Sequence, residues 1–141
     1  MAQAGIFLPV LTVVAVSIVG FFWLARMRVK AVRGREVPIK YYTAFQGGAE
    51  PHEAAVAARH YNNLFEAPVL FYVACVVAYQ LAAVTLPLLV TAWGYAAARI
   101  AQSAVHLTAN RVDKRAYAFF IGWLFLIGLW AQVAVAIVGK I

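Results

Sequence analysis

Residues 7–25 read FLPVLTVVAVSIVGFFWLA, nineteen consecutive positions without a charge. At about 1.5 Å of rise per residue, such a helix is roughly as long as the hydrocarbon layer of a bilayer is thick. Composition points the same way. Of 141 residues, 65% are hydrophobic and 12% charged, about half the charged share of a soluble domain. A soluble chain of this length has too little interior to hide so much apolar surface. The stretch follows MAQAGI, which carries no positive residue, and its end, WLA, runs into RMRVK. A cleaved leader starts basic, has a shorter core and ends in small residues. The expectation is therefore a retained first span over residues 5–25 of an all-α integral membrane protein.

Working outward, three more apolar stretches predict a four-transmembrane-helix bundle in one domain, residues 1–141, with further spans over 58–83, 85–107 and 115–138. Gly47 and Gly48 break the chain before the second helix, and Pro51 suits its first turn. From there the helix is expected to continue to about Ala83, longer than the bilayer core, with its first turns among the headgroups. Thr85 is the expected N-cap of the third helix, with Pro87 in its first turn.

Lysine and arginine placement sets the orientation. Arg26, Arg28, Lys30, Arg33, Arg35 and Lys40 follow the first span, and Arg111, Lys114 and Arg115 follow the third, whereas the other side holds only Lys140. Loops 26–50 and 108–114 are thus expected in the cytoplasm. The formal charge of +7 is read as facing anionic headgroups or an anionic ligand rather than nucleic acid. The single cysteine, Cys75, excludes an internal disulfide and reads as a buried inert thiol. His52, His60 and His106 lack metal-ligand spacing, so no metal site is expected.

Residues 58–72, ARHYNNLFEAPVLFY, carry polar groups just before the chain turns apolar. Arg59, Asn63 and Glu66 stand at offsets of 0, 4 and 7, one face of a continuous helix. In the third helix Arg99, Gln102 and His106 stand at offsets of 0, 3 and 7. A charge at mid-bilayer costs roughly 2.5–3.5 kcal/mol on insertion scales. Such residues therefore face other helices or a wet cavity. Glu66 pairing with Arg99 or Arg59 to tie helices together is one reading. The other is a pocket with surplus positive charge that attracts a small anion, with Glu66 receiving its ammonium group.

These residues resemble the MAPEG family, membrane-associated proteins in eicosanoid and glutathione metabolism. The resemblance rests on four spans, a basic first loop, the Arg59, Asn63, Glu66 pattern, and Arg99 followed sixteen positions later by Arg115. Asn62, His106 and Phe119 stand where the eicosanoid enzymes tend to carry arginine or tyrosine, which makes the chain similar to the bacterial branch. The resemblance implies a homotrimer among membrane lipids, with glutathione as co-substrate held between subunits by Arg26, Arg59, Asn63, Glu66, Arg99 and His106. Arg115 would be the catalytic residue beside the sulfur. The implied activity is a microsomal-type glutathione transferase or peroxidase acting on a small lipophilic electrophile. The alternative is a non-catalytic, lipid-binding or scaffold member. A small four-helix multidrug exporter is a third reading, but it calls for a glutamate in the first span, and this span has none.

Overall fold

A computed structural model describes residues 3–46, 48–107 and 112–141; Gly47 and residues 108–111 lie outside the described residues, as do the side chains of His106, Leu107 and Val112. A 3₁₀ turn over Gln3–Ile6 leads into α1 (Phe7–Arg33), and a short α2 (Tyr41–Ala44) follows. The chain continues through α3 (His52–Asn63), α4 (Ala67–Gln80), α5 (Leu86–Leu107) and α6 (Val112–Val138). Among the described residues, three helical stretches are long and apolar enough to cross a membrane: Gln3–Arg33, His52–Gln80 and Asp113–Val138. α5 is not among them. It has the length, but it carries Arg99, Gln102 and Ser103, all buried in the protein.

The expected second span, 58–83, is not one helix. α3 ends at Asn63, and Glu66 begins α4 from a non-helical conformation with φ −89° and ψ −91°. Pro68 supplies the reason. A proline ring clashes with the carbonyl four residues before it in a continuous helix and leaves that carbonyl without a donor. The helix therefore restarts, and Pro68 sits in the first turn of α4, where no N–H is needed. The first span also exceeds its expected end, because Arg26–Arg33 complete α1 instead of opening a loop.

Two compact units emerge from the packing, residues 1–16 with 65–141 and residues 17–64. In the larger, Ala67, Phe71, Ala74, Cys75 and Ala78 line one face of α4, and Leu88, Ala92, Tyr95, Ala96 and Arg99 line one face of α5. The apolar members of both faces, with Tyr95, pack with Leu126, Leu129 and Val133 of α6. Phe71 stacks on Tyr95 with ring centroids 4.4 Å apart. α5 and α6 approach closely at Gly94, where a Cβ would strike the ring of Phe125. Gln132 of α6 donates to the Thr91 hydroxyl at 2.9 Å. In hydrocarbon, close packing and such bonds replace the hydrophobic effect as the glue between helices. Thr85 caps α5 as expected, its hydroxyl accepting from the Leu88 N–H at 3.4 Å. Val84, just before it, donates its N–H to the Gln3 side chain at 2.9 Å.

In the smaller unit, Leu24 and Met27 of α1 pack on Ala54 and Ala57 of α3. Gly20 permits this approach, since a Cβ there would lie 2.7 Å from Leu64 Cδ1. Arg28 donates to Glu50 at 3.0 Å and Lys30 to Glu53 at 2.6 Å. α1 ends in a Schellman motif. Glu36 N–H reaches the Ala31 carbonyl at 3.0 Å, Arg35 N–H reaches Val32 at 3.1 Å, and Arg35 takes φ +56°. Glycine is the usual residue there, because the left-handed conformation costs other residues roughly 1–2 kcal/mol.

Candidate functional site

Arg99 is the most constrained of the expected site residues. It is 3% exposed, two turns before the end of α5, on the same helical face as Tyr95, Gln102 and Ser103. Its Nε donates to the Tyr95 hydroxyl at 2.8 Å, and one terminal nitrogen donates to Gln102 Oε1 at 2.7 Å. The guanidinium also lies 5.2 Å from the centroid of the Tyr95 ring. All of these partners are neutral. Among the described residues no carboxylate pairs with Arg99, so its positive charge is oriented without being neutralised. Burying a charge in that state is expensive unless something completes it. One turn on, the buried Ser103 Oγ has no hydrogen-bond partner among the described residues. A cation with no counter-charge among the described residues, one turn from a hydroxyl with no partner among them, is chemistry suited to an anion.

The i, i+3 spacing of Arg99 and Gln102 was legible in the sequence, and the structure joins them. Tyr95 was missed. Its signal was the i−4 position relative to Arg99, obscured because aromatic residues in a span read as packing. The His106 side chain lies outside the described residues, and so does Arg111.

The remaining candidates divide between the units. Arg59 and Asn63 share a face of α3, Arg59 exposed and Asn63 half-buried, and Arg26 is exposed on α1. Glu66, exposed at the start of α4, does not continue the α3 face, because the helix is interrupted before it. Glu66 and Arg99 form no ion pair, so the tie between these two residues is absent. Arg115 is half-buried in the opening turns of α6. Phe119, one turn further on, packs edge-to-face on Phe120 and Trp123. Cys75 is buried in the core of the larger unit, with no disulfide, as expected of an inert thiol.

The family comparison covers this whole arrangement: the MAPEG family pattern matches residues 6–135. The chain belongs to the MAPEG family. Its match spans all of α1 to α5 and most of α6, and with three membrane-length apolar stretches it makes the chain a membrane protein. No curated protein and no solved structure matches it. MAPEG proteins commonly use glutathione and are generally oligomeric, and membership suggests a glutathione-related membrane transferase or a related function.

Proposed function

We propose that this MAPEG protein is a membrane-embedded glutathione transferase or peroxidase acting on lipophilic electrophiles, assembled as a homotrimer of four-span chains with its pockets between subunits. The single observation that carries the reading is Arg99, a buried cation held by Tyr95 and Gln102 with no carboxylate partner among the described residues. Glutathione offers what such a residue lacks, a carboxylate on a small flexible molecule. Arg59 and Arg26 supply further positive charge, Asn63 and His106 hydrogen bonds to peptide groups, and Glu66 a counter-charge for the ammonium group.

Arg115 is assigned the reacting end. A thiol has an ordinary pKa of about 8.5, and a neighbouring guanidinium favours its thiolate. With its proton released to water, the sulfur attacks an electrophilic carbon and the leaving group departs as an anion. With a hydroperoxide, two thiols are oxidised to a disulfide while the peroxide is reduced to an alcohol and water. Apolar outer surfaces would deliver either substrate from the membrane.

A second reading, a non-catalytic lipid-binding or scaffold member, is favoured by Phe119, whose ring is engaged in aromatic packing and offers no hydroxyl to a sulfur. A conjugation assay with glutathione and an aryl halide separates the two. The enzyme reading expects a rate above background that falls at least tenfold in Arg115→Ala. Equal, negligible rates in both proteins would leave the scaffold.

A further inference from the structure

The basic end of α1 has a feature that the proposed reaction does not use. Two shallow depressions flank its last turn, of about 390 Å³ and 480 Å³, and they share Val32 and Ile39 as a common ridge. Their linings combine aliphatic side chains with guanidinium groups. Arg28 and Arg33 border the first and Arg35 the second. Arg28 is fixed by Glu50 and lies over the rings of Tyr42 and Phe45, 5.1 Å and 5.3 Å from their centroids. It builds the wall and has little charge to spare. Arg33 and Arg35 are exposed, and among the described residues neither has a carboxylate partner. Glu36 is the acid nearest in sequence, while Glu50 and Glu53 are already paired with Arg28 and Lys30. Beside these charges Val29 is 50% and Ile39 72% exposed.

We propose that this surface seats one anionic phospholipid, its phosphodiester held by Arg33 and Arg35 and its glycerol and upper acyl carbons lying over Val29, Val32 and Ile39. The occupant follows from the mixture of groups. A small soluble anion would satisfy the arginines and leave the aliphatic ridge wet. A zwitterionic lipid would bring a cation to a surface that already has an excess of them. A second copy of the chain is a poor partner, because the whole sequence has five acidic residues against twelve basic ones, and Glu50 and Glu53 are already paired within the chain. Position agrees with chemistry, since the groove lies at the basic end of a helix that can span a bilayer, where headgroups of the adjoining leaflet are within reach. Arg35 adds a further sign. Its φ of +56° is one that local energetics would assign to glycine, yet the chain places a cation there.

The test uses the full chain in a neutral detergent, titrated with short-chain phosphatidylglycerol, with phosphatidylcholine and with inorganic phosphate, while thermal unfolding is followed. Native mass spectrometry counts bound lipid. Phosphatidylglycerol should give a saturable rise in Tm with one lipid per chain, and the other two probes should give none. Arg33→Gln combined with Arg35→Gln should weaken apparent affinity by roughly thirtyfold, the effect of two basic residues at an anionic surface. Lys40→Gln removes a charge outside the groove and should leave affinity unchanged. Arg35→Gly guards against misfolding as an explanation. It should raise Tm without lipid, by relieving the left-handed backbone, and lower the gain that lipid confers. Equal losses in Lys40→Gln and the double variant would reduce the seat to a diffuse basic collar and overturn the proposal. So would a Tm rise with inorganic phosphate alone, or no response to any probe.

Discussion

A guanidinium cannot escape burial by losing its proton, as a lysine or carboxyl group can. Arg99 is 3% exposed, and the fold carries the penalty of burying its guanidinium. Replacing it by methionine keeps the volume and removes the charge, at the expense of one hydrogen bond each to Tyr95 and Gln102. We expect Arg99→Met to melt at or above the wild-type temperature in detergent, and to lack the stabilisation by millimolar glutathione that the proposed function expects of wild type. A variant that melts lower and still responds to glutathione would contradict the proposed role. Tyr42 makes a different test. Burial pushes its phenol above the ordinary tyrosine value, and the nearby Glu50 adds to the shift. A raised folded pKa means that the fold favours the neutral phenol. Its stabilising contribution is thus complete below the unfolded value of about 10 and is lost as pH rises through the folded one. Phenolate absorbance should show Tyr42 titrating above the ordinary tyrosine value, and Tyr42→Phe should remove the part of the late absorbance that belongs to it.

Elements show where sequence reasoning succeeds and where it stops. α1 and α6 were legible because an uncharged run of that length has few alternatives, and the start of α5 was legible from Thr85 and Pro87. The interruption between α3 and α4 was missed, because the face shared by Arg59, Asn63 and Glu66 presumed a helix that Pro68 does not allow. Helical offsets describe neighbours only where the helix is unbroken, so the two residues on α3 keep their relation and Glu66 does not. Tyr95 shows the converse: a side chain taken for packing orients the buried cation through its hydroxyl. Between α5 and α6 the contact at Gly94 sets a sharper constraint than hydrophobicity does. Gly94→Ala drives a methyl into the Phe125 ring and should destabilise by about 1–3 kcal/mol. Phe125→Leu in the same chain should restore much of the loss, as a lowered and then recovered Tm in detergent would show.

At the scale of the whole molecule, apolar side chains cover the outside as well as the core. Tyr117, Phe120, Leu124 and Ile127 recur along one exposed stripe of α6, each at least 60% accessible. Lipid and neighbouring subunits both suit such a face. The proposed homotrimer gives a definite number: light scattering corrected for detergent should return three times the 15.4 kDa chain mass. A monomer that still conjugates glutathione would remove the need for pockets between subunits.

The buried polar face of α5 also bears on biosynthesis. A nascent chain that has emerged only as far as Leu107 holds Arg99, Gln102 and Ser103 before α6, its most extensive packing partner, has left the ribosome. Until then α5 is a poor candidate for release into lipid on its own. It should wait at the translocon and enter the bilayer together with α6 as a hairpin, so a stop codon after α5 should yield a product cleared by membrane proteases.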